Sequence, residues 1–285
     1  MAMRTTSMIE LRPETLAILR NVAGDWADRF ISLSLVPGLA TSTRISNANL
    51  RDVRTALEHP FWCLHAFFHH YAFARRGKDR EELASLACQA LRRLSDPDGF
   101  STILQEADGH RLWESFEELC AERKRKPNEQ LNRGILAGML ELAQEVYRLD
   151  NVGSLCGWVK TGLIRTNHLE PAFLRIVDVR GVGPKTTSMF LRDLVLLLDM
   201  EDSLDHADRL YVQPVDRWLR LFAEAIVPEE EIFDAVDWVV AGKVSKYTRR
   251  AGVSGIRFNM GASYFGHKEV REPERFEHAL TLLVQ

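Results

Sequence analysis

Leu174-Arg-Ile-Val-Asp-Val-Arg-Gly-Val-Gly-Pro-Lys-Thr-Thr-Ser-Met-Phe190 is the stretch whose reading decides the fold. An apolar helix end runs into Gly181-Val182-Gly183-Pro184, and a second apolar run comes after it. Two glycines around one small apolar residue let the backbone turn sharply and expose successive N–H groups. Pro184 suits the first helical position, where its missing N–H costs no hydrogen bond. The helix that begins there directs free N–H groups and a positive dipole end outward, a setting that favours phosphate. Lys185 and Thr186 stand at that mouth.

Outward from this turn the pattern is helix after helix. Leu16, Leu19, Val22, Trp26 and Phe30 recur at spacings of three and four, predicting an amphipathic helix over 13–35 that ends at Pro37-Gly38. Asn47 or Asn49 caps a short helix to Glu58, and Pro60 opens an aromatic-rich one through Phe73. Further helices are expected over 79–95, in two pieces over 97–126 broken at Asp108-Gly109, and from an Asn128 cap to about Arg148. The last carries Leu131, Ile135, Met139, Leu142 and Val146 along one stripe. Short helices near 153–161 and 168–176 lead into the turn, and 186–198 reads as a helix buried on most sides. Beyond a polar loop, Val212-Gln-Pro-Val-Asp216 enters a helix over 217–225. Two more helices, near 229–241 and 272–284, finish the chain, with a short extended piece near 253–258. The expected fold class is all-α.

The chain has 285 residues, enough for one large core or two lobes. Its 46% hydrophobic and 27% charged residues are those of an ordinary globular protein. No apolar run approaches the ~20 residues that span a bilayer, and residues 1–12 lack the apolar core of a signal peptide. Cys63, Cys88, Cys120 and Cys156 are too far apart for a zinc knuckle or an iron–sulfur pattern, which suits reduced thiols in a cytoplasm. A net charge of −3 argues against indiscriminate nucleic-acid binding, so any such contact must be local. Lys243, Lys246, Arg249, Arg250 and Arg257 lie in a run without acidic residues. Arg123-Lys-Arg-Lys126 with Arg133 forms a second basic patch; a solvated face is the plain reading of either. His65 and His69, four apart on a helix, have a metal-binding spacing, but the surrounding phenylalanines favour aromatic packing and no metal is expected.

Asp216 precedes a helix, so N-capping explains it by itself. Lys185 is explained by itself as a phosphate contact. Their joint order carries more: turn, lysine, apolar helix, loop, then Pro214-Val215-Asp216 at a helix start. That order resembles the helix-hairpin-helix superfamily of base-excision DNA glycosylases. Its hairpin reads Leu-Pro-Gly-Val-Gly-x-Lys; here Val179-Arg180 replaces Leu-Pro before Gly181-Val182-Gly183-Pro184-Lys185. The resemblance covers about 165–225 and, by helix count, most of the rest. It implies an all-helical fold with the active site in a cleft between two lobes: a barrel over 51–211, and a second lobe built from 1–50 and 212–285. It implies that amides around Gly181, Val182 and Gly183, with Thr186, hold a phosphate beside the lesion of double-stranded DNA. Lys185 takes the position of the nucleophile in bifunctional members, and Asp216 that of the catalytic aspartate.

The residue types suit that chemistry. Cleaving an N-glycosidic bond develops positive charge on the sugar, which a carboxylate stabilises. An amine can attack C1′, expel the base and leave a Schiff base open to β-elimination, after the lesion has been flipped from the stack. With no cysteine after Cys156, the cluster of endonuclease-III-like members is excluded, leaving at most a monovalent cation at the hairpin as cofactor. The Lys185–Asp216 separation of 31 residues is similar to that of archaeal-type 8-oxoguanine glycosylases. The expected lesion is therefore 8-oxoguanine, with an oxidised pyrimidine or another modified base as alternatives. A monofunctional glycosylase using Asp216 and water, and a non-catalytic DNA-binding protein, are the competing functions. Met189, one turn after Lys185, and Trp218 are candidates for the base pocket, though core packing explains both. Phe258, Tyr264 and Phe265 are further stacking candidates. A cytoplasmic, nucleoid-associated monomer is expected.

Overall fold

The computed structural model describes residues 11–74, 77–106, 109–149, 153–227, 232 and 234–284. Among them the chain is all-α, without a strand, and no helix is long and apolar enough to cross a membrane. It divides into two compact units, one of residues 1–31 and 215–285 and the other of 32–214. Residues 32–50, expected with the first unit, group with the second. The reason is the Val36–Thr43 helix, which packs on the helices Leu50–Leu57 and Pro60–Phe67.

The first unit opens with Pro13–Asn21, Pro13 in its first turn. The expected amphipathic phase holds only to Val22. A π-turn at Val22–Trp26, with Gly24 at φ −88° and ψ −106°, inserts a residue and rotates the helical segment beyond it. The buried positions become Ala23, Ala27 and Ile31, while Trp26 and Phe30 are half-buried. The helix Gly255–Phe265 crosses this kink so closely that a Cβ on Gly261 would lie 1.9 Å from the Val22 carbonyl oxygen. Arg257 takes up carbonyls that the kink exposes, donating to Ala23 O at 2.9 Å and pairing with Asp28 at 2.7 Å. Phe222 centres the aromatic core, with Phe258, Phe265 and Phe276 edge-on to it at 4.9–5.8 Å.

Two expectations fail in this unit. The segment near 253–258 is not extended, because Ser254 Oγ accepts from Arg257 N at 3.0 Å and starts a helix at Gly255. The helix expected near 229–241 is Asp237–Arg250; residues 229–231 lie outside the described residues.

In the second unit, Pro37-Gly38 does not stop the helix. Pro37 occupies the first turn of Val36–Thr43, where proline is tolerated, and Arg44 at φ 58° ends it instead. Asn49 forms a capping box with Asp52 at the start of Leu50–Leu57. Pro60–Phe67 passes into a π-turn at Phe68–Ala72. Arg80–Leu94, Phe100–Glu106 and Gly109–Glu122 come next; of the expected break, Asp108 lies outside the described residues. Asn128 precedes Glu129–Arg148 but does not cap it with its side chain. Ile135, Met139, Leu142 and Val146 of the predicted stripe are buried, whereas Leu131 is 42% exposed at the helix start.

Leu155–Thr166 and Glu170–Val177 lead to the central helix Pro184–Leu198. That helix buries Phe190 against Phe67 and Tyr71 at 5.2 and 5.3 Å. It also buries Asp193, which accepts from Arg192 at 2.8 Å and from the Tyr71 hydroxyl at 2.9 Å. Burial pushes the Asp193 carboxyl up, and the adjacent guanidinium opposes that rise.

Candidate active-site residues

The turn at 179–183 is held from below by glycines of another helix. Gly134 and Gly138, one turn apart on Glu129–Arg148, let it approach: Cβ atoms there would lie 2.8 Å from Arg180 O and 2.8 Å from Val179 Cγ1. Gly181 sits at φ 89°, and a Cβ on it would meet Ile135 Cγ1 at 2.7 Å and Leu131 O at 2.9 Å. Both its conformation and its surroundings demand glycine. Val182 is buried, and its N–H is committed to Val179 O at 2.9 Å.

Gly183 is the N-cap of Pro184–Leu198, in extended conformation and without a side-chain cap. Thr187 N donates to Gly183 O at 3.0 Å, closing the first helical turn. Pro184 has no N–H, so the amides of Lys185 and Thr186 are the donors left without an intrahelical acceptor. Lys185 is half-buried at this mouth, Thr186 is buried, and Met189, one turn on, is half-buried. Remote support comes from Asp208, whose Oδ2 accepts from Leu169 N at 2.5 Å and Glu170 N at 3.2 Å and so caps the helix that enters the turn.

Asp216 belongs to the other unit. It is extended, at φ −125°, and caps Arg217–Ile226 with Oδ1 accepting from Leu219 N at 2.8 Å. Its second oxygen, Oδ2, lies 3.9 Å from Nε2 of His267, an exposed residue of the π-turn Gly266–Val270. Sequence reasoning misses His267, because no local signal marks it and packing alone brings it to a residue 51 positions earlier. Gly266 makes that packing possible: a Cβ there would lie 2.2 Å from Trp218 Cδ2.

Trp218 is fully buried under Gly266, with the His267 ring edge-on at 5.9 Å. Core packing, not a base pocket, accounts for it. The same holds for Phe258 and Phe265, which are core residues, leaving Tyr264 half-buried beside Trp26 and Phe30.

The histidines expected to pack do so. His65 is buried against Phe61 and Trp62 at 5.8 and 5.7 Å. Burial first, then Arg92, His69, Arg44 and His70, lower its pKa to about 3, so the ring is neutral at pH 7. Burial likewise pushes the Cys88 and Cys156 thiols up to about 12 and Cys120 to about 11. His168, Asp205 and Asp208 offer ligand atoms within 4.8 Å of one another. Helix capping by Asp208 and the Ala207 N–H bond to Asp205 at 2.8 Å account for both carboxylates.

The two basic patches fare differently. Arg125 pairs with Asp79 and Glu82, and Arg133 with Glu129, so part of the first is neutralised. In the second, Arg257 turns inward to the kink at 22–26, while Lys246, Arg249 and Arg250 are exposed on Asp237–Arg250.

Comparison with family models, curated proteins and solved structures returns no match for this chain.

Proposed function

We propose that this protein is a DNA N-glycosylase with associated lyase activity, acting on an oxidised base, with 8-oxoguanine the first candidate. The observation that carries the reading is the glycine turn that ends in a helix whose open amides are those of Lys185 and Thr186. Such a mouth suits a DNA phosphate, and it holds a primary amine beside that phosphate. Lys185 Nζ attacks C1′, the C1′–N bond breaks and the base leaves. The resulting Schiff base loses a proton from C2′, and β-elimination expels the 3′-phosphate. Asp216 stabilises the cationic sugar. The helix amide that pins Oδ1 keeps this carboxylate oriented and leaves Oδ2 for that role.

A second reading is favoured by the His267–Asp216 pair: a carboxylate beside an imidazole suits activation of water, giving base release without strand cleavage. Borohydride trapping on a duplex carrying 8-oxoguanine opposite cytosine separates the two. A covalent adduct with wild type and none with Lys185→Gln is the expected result. Base release that persists in Lys185→Gln selects the water mechanism. If neither protein releases a base from this duplex or traps on an abasic-site duplex, the enzymatic reading fails.

A further inference from the structure

We infer that the exposed basic face of the helix Asp237–Arg250 is a second contact for duplex DNA, gripping the phosphate backbone independently of the turn at 181–183. Residues 238–268 include six lysines and arginines and no aspartate or glutamate. With those six set aside, the rest of the chain carries nine more acidic than basic residues. Positive charge is therefore concentrated where the sequence could have distributed it, and a net acidic protein that binds DNA needs such a local source.

The fold sharpens the concentration. Arg257 leaves the surface for the kink at 22–26. Lys243, Lys246, Arg249 and Arg250 recur at three- and four-residue spacings and so share one side of the helix. Lys246 and Arg249 are exposed, and neither meets a carboxylate among the described residues. The nearest acidic group on the same helix, Asp237, stands at its far end and pairs with Arg220. Favourable contact with the C-terminal end of the helix dipole accounts for Arg249 and Arg250 in the last turn, but it falls off before Lys246. A row of cations spaced along a helix matches a polyanion of regular spacing. The duplex is the occupant chosen because the proposed function already brings DNA to this protein, and the inference rests on that reading.

The test is fluorescence anisotropy with an undamaged, end-labelled duplex, titrated from about 50 to about 200 mM salt. The proteins compared are wild type and the double variant Lys246→Gln/Arg249→Gln. Each lost phosphate contact lowers the slope of log affinity against log salt by about 0.9. The double variant is therefore expected to lose roughly 2 from the slope while its thermal midpoint stays put. A wild type that binds with a slope the variant shares overturns the second contact and leaves the DNA reading standing. A wild type that does not bind the duplex overturns both. A polyglutamate probe is the control for charge alone: if it binds wild type with duplex-like affinity, the duplex assignment is overturned as well.

Discussion

The turn at Gly181-Val182-Gly183-Pro184 and the turn at Gly252-Val253-Ser254-Gly255 share one pattern in different surroundings. Each places a glycine at positive φ, 89° in the first and 65° in the second, then a valine and an extended residue that opens a helix. In the second, Val253 N donates to Thr248 O and Gly252 N to Arg249 O, both at 3.0 Å, a closed helix end that satisfies its own carbonyls. Nothing lies within 4 Å of where a Cβ on Gly252 would point. The first turn is instead pressed onto the helix Glu129–Arg148. Local sequence thus sets the sign of φ in both places, while only the neighbours decide how much else a glycine must provide.

Substitution at the two glycines tests that contrast most strongly. Gly181→Ala combines a left-handed alanine, at about 1–2 kcal/mol, with overlap against the Leu131 carbonyl and Ile135, at about 1–3 kcal/mol. A loss of about 3 kcal/mol is expected in urea unfolding monitored by circular dichroism. Gly252→Ala carries only the conformational part and is expected to cost about 1 kcal/mol. Equal losses would mean that the contact with Leu131 and Ile135 does not hold the first turn in place.

Much of the fold is legible because its signals are local. Pro184 after Gly183, Pro60 at its helix start, Asn49 with Asp52, and Asp216 before Arg217 each state a helix boundary in a few residues. The illegible parts depend on partners distant in sequence. The π-turn at Val22–Trp26 shifts the buried phase by one residue, and its exposed carbonyls are answered by Arg257, more than 200 positions later. Glycine-rich Gly255–Phe265 reads poorly as a helix from propensity. It needs Gly261 for the crossing at Val22 and Gly266 for the seat of Trp218, and those needs exist only once the helices meet. His267 reaches Asp216 by the same packing, so no spacing rule could have paired them.

The smallest expected effect is the most informative about function. The two helix-opening residues differ in one respect: Ser254 Oγ accepts from the amide three residues on, Arg257 N, whereas Gly183 has no side chain to do so. Serine at an N-cap is better than glycine by only a few tenths of a kcal/mol. Gly183 is extended, at φ −94° and ψ 169°, a conformation open to serine. Gly183→Ser is therefore expected to raise stability by about 0.3 kcal/mol. Its hydroxyl would take the equivalent amide, that of Thr186, which in the proposed function serves a phosphate. Diverting that one hydrogen bond, worth about 1 kcal/mol net, should weaken duplex binding by about three- to tenfold. Stability that rises while affinity falls would tie the missing cap to ligand binding. Stability that rises with affinity unchanged would remove the Thr186 amide from the DNA contacts and leave Gly183 as a residue required by the turn alone.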